Sequence, residues 1–333
     1  MSRVMNGEPT VAPELAGRVT VLGEALIDLV PGIAPGTFTA TAGGSPYNVA
    51  IGLARLGVPT SLMARLADNA LGRILRGGAE AEGIDLTAAP LATEPTTLAV
   101  VSLDGQAQAS YDFYHQGTAD WQWTASELGR IPESTGVLHF GSLASWLPPA
   151  GQRILDLAGR VRARGDVLVS YDPNIRPTLL RDPGHGRYVV ERAVRIAHLV
   201  KASEEDIGWL YPGRKAAEVA RQWLALGADL VVITDGGRGA GAFTGRGTAI
   251  HRPAVGVTVA DTVGAGDSFT AGLIAALIRR GRPSPAGLAG LPAADLAAVL
   301  DEAIMVAALN CQRTGNDPPT AADLRAALAA RAS

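Results

Sequence analysis

Short apolar runs alternate along the chain with longer stretches in which apolar positions recur every three or four residues. Runs at 19–22, 60–64, 137–140, 167–171, 198–200 and 230–234 are of the kind that fill buried parallel strands. Helical periodicity marks 47–56, 150–164, 187–197, 216–226, 265–280, 293–312 and 321–330. Ser45-Pro46 reads as an N-cap followed by a first-turn proline, and Gly57 as the C-terminal stop. Thr320 and Asp323 have capping-box spacing. Strands separated by helix-length segments predict an α/β chain whose mostly parallel central sheet is covered on both faces.

Two stretches break the alternation. Segments 96–103 and 108–114 read as strands, with Asp104-Gly105 as the hairpin turn between them, and 31–41 is a similar excursion after the first strand. Two plain surface hairpins would account for them. A small β-sheet lid, built from about 31–41 and 96–116 over the ligand-binding edge of the main sheet, accounts for them equally.

Composition narrows the class. With 47% hydrophobic and 18% charged residues in 333, the chain buries a sizeable core and is not a disordered one. Residues 1–17 are polar and interrupted by Pro9 and Pro13, which reads as a flexible segment ahead of one domain at 18–333 and not as a signal peptide. Net charge is −3, which leaves no positive field for nucleic acid. The longest apolar stretch, 269–278, is about half of the ~20 residues a membrane span needs. Cys311 is the single cysteine, so a disulfide framework and a Cys-rich zinc site are excluded; the residue itself reads as inert core. The expectation is a cytoplasmic protein with no membrane or nucleic-acid partner. The five histidines are scattered without metal-ligand spacing, and Trp121 and Trp123 read as packing residues beside a cleft.

Three glycine-containing elements carry the candidate chemistry. Gly264, Ala265 and Gly266 open a helix, where crowded backbone N–H groups and the helix dipole make an anion site. Asp267 follows in the first turn. It is either a capping residue or a base: beside phosphate, a carboxylate makes sense where it takes the proton of an attacking hydroxyl. Thr234, Gly236 and Gly239 follow an apolar strand, where nucleotides approach the backbone, although a hairpin around Gly245-Arg246 explains the same residues. Neither a dinucleotide fingerprint nor a P-loop is present. Finally, Gly43 and Gly44 precede Asn48 in a first helical turn, and Asp28 lies upstream; an Asp and an Asn on a glycine-lined notch can hold several sugar hydroxyls.

Taken together, Gly-Gly…Asn, Thr-x-Gly-x-x-Gly and Asp-Thr-x-Gly-Ala-Gly-Asp resemble the ribokinase-like (PfkB) carbohydrate kinases over roughly residues 18–330. Gly23 to Asp28, Gly117 to Trp121 and Asp172 to Pro177 look most like the bacterial fructokinases of that family. The resemblance implies an ATP-dependent sugar kinase using Mg²⁺, with fructose as first candidate acceptor and 2-keto-3-deoxygluconate as the alternative. A catalytically silent sugar or nucleotide sensor is the distant reading. By the same resemblance Asp267 is the base, and Gly264, Ala265, Gly266 and the Asp267 amide form the anion hole. Asp28, Gly43, Gly44, Asn48 and Arg176 hold the sugar; Thr234, Gly236, Gly239, Gly264 and Gly266 hold ATP.

Departures from the family pattern mark the metal sites. The family's Asn-x-x-Glu stands here as Ser203-Glu204-Glu205-Asp206, which leaves Glu205 and Asp206 as indirect Mg²⁺ residues. A K⁺ loop would use Asp261, Val263, Arg313 and Gly315, with Pro319 where a serine often stands. The lid segments contain no lysine or arginine, which disfavours a phosphorylated sugar. Apolar lid residues such as Val100, Tyr111 and Phe113 imply a homodimer formed through the lid.

Overall fold

The computed structural model describes residues 18–332 except 33, 35 and 104–108. The expected flexible segment 1–17 and the Asp104-Gly105 turn therefore lie outside the described residues. Among these, eight strands form one sheet in the spatial order Ala249–Arg252, Ala240–Thr244, Leu230–Thr234, Leu199–Ser203, Leu168–Asp172, Val137–Gly141, Val19–Leu22 and Thr60–Met63. The six strands from Leu230–Thr234 onward are parallel, and the two at the other edge are antiparallel. Their near-continuous apolar character follows from burial on both faces. Helices Ser45–Arg55, Ala265–Arg279 and Ala293–Cys311 pack on one face. Helices Ala150–Ala163, Pro183–Val194 and Ala216–Leu226 pack on the other. Trp121 and Trp123 are buried in that second core, as expected of packing residues.

A separate four-stranded sheet runs in the order Phe38–Gly43, Leu26–Pro31, Leu98–Leu103, Ala109–Tyr114. The expected lid exists, but its first arm begins earlier than 31 and takes in Asp28. Directly paired residues share a face, so the register puts Asp28, Ala99, Val101, Tyr111 and Phe113 on one side. Phe38, Val100 and Tyr114 lie on the other. Tyr111 and Phe113 pack against the core containing Trp121, which corrects their expected place beside Val100 on an outer face.

Helix Ala70–Ala81 is absent from the sequence expectation. Asn69 caps it by accepting from the Gly72 amide at 2.8 Å, and Leu75 and Ala79 fill the core beneath. Its apolar stripe of Leu71, Leu75 and Ala79 is clear in the fold, but Gly72, Gly77 and Gly78 inside it lower the helix propensity of the segment.

Candidate active site

The parallel strands end on a common edge, and their last residues supply the site, as is usual for open α/β sheets. Asp172 ends one strand and Ser203 the next, with Thr234 beyond. Lys201, on the strand between Asp172 and Thr234, reaches across to Asp172 Oδ2 at 2.8 Å in a fully buried ion pair. Burial by itself would lower the ammonium pKa; Asp172, with Asp206 and Asp267 beyond it, holds it above the ordinary value instead.

Helix Ala265–Arg279 points its N-terminus at this edge. Gly264 caps it at φ +73°, a left-handed conformation, and any side chain there would collide with Asn316. Ala265 N–H donates to Thr262 and Ser268 N–H to Gly264. The amides of Gly266 and Asp267 lie between them, in the turn where a helix leaves its N–H groups without internal acceptors.

Asp267 is not a capping residue. Its Oδ1 accepts the Ser45 hydroxyl at 2.7 Å and its Oδ2 accepts Asn48 Nδ2 at 2.8 Å. Burial raises its pKa; the donors Ser45 and Asn48, then Lys201, act against that, and Asp172 adds to it. Ser45, expected as the N-cap of its own helix, is instead its first residue, and Gly44 takes the cap at φ +100°. The serine hydroxyl is thereby free to meet Asp267. A side chain at Gly44 would come within 2.8 Å of the Glu24 carbonyl oxygen.

Asp28 stands on the lid against Gly43, where any side chain would strike its carboxylate. Burial pushes its pKa up to about 6, against the pull of Arg176 and with Asp267 adding to the rise. Arg176 is held by Asn174 Oδ1 at 2.8 Å and the Ile175 carbonyl at 3.0 Å. Asp28 on the lid is thus within electrostatic reach of both Arg176 and Asp267.

Two cavities meet at Gly266. One, of about 460 Å³, is mainly apolar, lined by Val255, Val257, Phe269, Ile304 and Ala308 beside Gly236 and Gly239. It suits a flat heteroaromatic ring. The hairpin reading of this region is also realised, since Ala240–Thr244 and Ala249–Arg252 pair antiparallel behind the glycines. Cys311 lines this cavity half-buried instead of lying in the core, because it sits in the last turn of its helix. The other cavity, of about 560 Å³, is polar, with Arg176, Lys201, Glu205 and Arg238 on its walls.

The expected metal residues divide. Asp206 accepts the Ile175 amide with Oδ1 and the Ser203 amide and hydroxyl with Oδ2, closing a capping box. Three donors fix its carboxylate as a structural cap, and with Glu205 it also lines the polar cavity. Asp261 accepts from the amides of Val263 at 3.1 Å and Gly315 at 2.9 Å, so three residues of the expected K⁺ loop do meet. The Arg313 guanidinium turns away to Asp317 and Asp323. Among the described residues no cluster of three or more His, Cys, Asp and Glu could hold a metal by itself. None of the histidines lines either cavity; burial drives His139 down to about 3, so it stays neutral.

Beneath the lid two buried carboxylates escaped the sequence reading. Glu24 Oε2 accepts the Ala144 amide, and Asp120 Oδ1 accepts the Ala25 amide, each at 3.0 Å. Burial raises Glu24 to about 6 and Asp120 to about 7.

Comparison with known proteins agrees with this architecture. The fructokinase of Rhizobium leguminosarum bv. trifolii is 37% identical over 258 residues, covering 77% of this chain and 78% of that protein. A fructokinase variant from Vibrio cholerae O395, solved with fructose, ADP and potassium ion, is 27% identical at TM-score 0.80, covering 93% of this chain and 98% of that one. The ATP-bound fructokinase of Xylella fastidiosa superposes at TM-score 0.87 over 95% of this chain and 99% of that one; at 24% identity it speaks for the fold alone. A family model described as pfkB family carbohydrate kinase matches residues 16–322. The chain belongs to the pfkB family of carbohydrate kinases.

Proposed function

We propose that this kinase transfers the γ-phosphoryl group of ATP to the primary hydroxyl of fructose, giving fructose 6-phosphate. The observation that carries the reading is the placement of Asp267: it is fixed by Ser45 and Asn48 in the helix turn whose Gly266 lines both cavities, within electrostatic reach of Asp28 on the lid. ATP would lay its base in the apolar cavity and its phosphates across Gly266 toward Lys201 and Arg176. Asp28 and Asn48, with Gly43 and Gly44 leaving room, would hold the sugar. Asp267 would take the proton of the attacking hydroxyl, and the amides of Gly264, Gly266 and Asp267 would receive the charge spreading over the transferred group, with the Ala265 amide spent on Thr262.

Mg²⁺ would supply charge neutralisation on the phosphates. With no protein cluster able to hold it alone, it would arrive on the nucleotide, with Glu205 at the cavity wall. K⁺ would fall to the loop of Asp261, Val263 and Gly315. Residues 18–333 would act as one domain. Among the described residues no helix is long and apolar enough to cross a membrane, in keeping with a cytoplasmic place.

Fructose is favoured by the fructokinase relatives and by the absence of basic residues in the lid segments. The test is an ADP-release assay across fructose, ribose, 2-keto-3-deoxygluconate, adenosine and fructose 1-phosphate. Fructose should give the highest kcat/KM; a higher value for any other acceptor overturns the assignment.

The same reading includes a homodimer formed through the lid. Phe38 is 50% and Tyr114 63% exposed, and with Val100 they share the face opposite Asp28. Apolar groups on a small sheet usually find a partner.

A further inference from the structure

The donor that holds Asp267 is itself held. Asn316 Nδ2 donates to Asn48 Oδ1 at 2.9 Å, and Asn48 Nδ2 donates to Asp267 Oδ2 at 2.8 Å. A primary amide has one accepting and one donating end. An ionised carboxylate only accepts, so Asn48 must turn its nitrogen to Asp267 and its oxygen away, and the next group must donate. Asn316 does so at a cost to itself: its own Oδ1 is buried without a hydrogen-bond partner, pressed against Gly264.

The backbone around Asn316 is clamped on both sides. The Gly315 amide donates to Asp261 Oδ2 at 2.9 Å, and Asp317 pairs with Arg55 at 2.5 Å and Arg313 at 3.4 Å. The side-chain hydrogen bond that Asn316 makes is the one to Asn48, so its effect on the reaction passes through that amide.

We propose that Asn316 is a positioning residue of the phosphoryl-transfer site: it fixes the orientation of the Asn48 amide so that the donor end faces Asp267 and favours the ionised, proton-accepting carboxylate. The proposal rests on Asp267 being the base.

The test is the pH dependence of kcat/KM for the sugar in the full chain. Replacing Asn316 with Ala frees the Asn48 amide and weakens its bond to Asp267, so the base should titrate higher. The acid limb should move to higher pH by about half a unit or more, and kcat should fall about tenfold while KM for ATP changes little. Asn316→Asp should move the limb further in the same direction, because a carboxylate there can only accept and draws the Asn48 nitrogen away. Made in an Asn48→Ala background, Asn316→Ala should add no further shift. An unmoved limb, or a shift that persists in full without Asn48, overturns the proposal even if rate and thermal midpoint fall together. Asp267→Asn separates the two levels: if it keeps more than about a tenth of the rate, the base assignment itself fails. If it is inactive and the Asn316 variants leave the limb in place, only the role of Asn316 fails.

Discussion

Lys201 and Asp172 form a buried ion pair, Nζ to Oδ2 at 2.8 Å, on adjacent strands directly below the N-terminal turn of helix Ala265–Arg279. The chain has 29 basic residues and two lysines, so this one occupies a place that a guanidinium would overfill: a Cβ on Gly266 would already lie 3.2 Å from Nζ. Lys201→Met leaves Asp172 buried without its partner. We expect a stability loss of about 3–5 kcal/mol by denaturant unfolding, the usual result of breaking a buried pair from one side. Adding Asp172→Asn should recover part of it. A loss no greater than that of an average surface substitution would show that the pair is dispensable.

Asp267→Asn should reduce kcat by ~10²–10⁴ while nucleotide affinity stays within a few-fold. The Ser45 hydroxyl can still donate to the amide oxygen, so the helix start keeps one of its two cross-links. Single-turnover rates and titration with a fluorescent nucleotide measure the two effects separately.

Asp28→Ala and Asn48→Ala should each raise the sugar KM well above any change in the ATP KM, because each leaves sugar hydroxyls unpaired at ~1–3 kcal/mol per group. Equal effects on both substrates would place the acceptor pocket elsewhere.

Asp120 gives a pH prediction of definite sign. Burial pushes its folded pKa up to about 7 from the ordinary 3.8 of an aspartate, so the folded chain binds the proton more tightly than the unfolded one. The stabilisation from that proton is complete below about pH 4 and is lost as pH rises through 7. Asp120→Asn, an uncharged near-isostere that can still accept from Ala25, should therefore melt higher than the parent at pH 8 and gain less at pH 5. Identical gains at both pH values would show that Asp120 does not titrate in this range.

The lid contact is checked by light scattering. The parent should show twice the 34.2 kDa chain mass. Phe38→Glu, on the exposed face, should return it to the monomer with its fold intact. Phe113, packed against the inner core, is the wrong residue for this purpose. A monomeric parent at micromolar concentration removes the dimer.

Much of this architecture is legible in the chain because parallel strands buried on both faces must be apolar throughout, as Val19–Leu22 and Leu230–Thr234 are. The glycine turn before Asp267 is legible for a similar reason, since only small residues let a helix start lie open. Most of what escaped involves partners distant in sequence. Ser45 looks like a helix cap until Asp267, 222 positions away, is seen to take its hydroxyl. Ser203 and Asp206 read as a metal motif, although their spacing is also that of a capping box, which is what they form. Asn316 carries no local signal, and Glu24 and Asp120, although they stand in family-like stretches, show nothing of their burial, because a polar residue looks the same in sequence whether it faces water or a buried amide.

The chain crosses between the main layer and the lid at several points, and these crossings are tied to one another. Ala25 N–H meets Asp120, the Thr97 and Thr118 hydroxyls meet at 2.6 Å, and Ala119 N–H donates to the Pro95 carbonyl at 2.9 Å. Segments bound together in this way cannot swing independently, so the small sheet would tilt as a single flap about that seam. Admitting a sugar and releasing its phosphate would then need no strand of the flap to unzip.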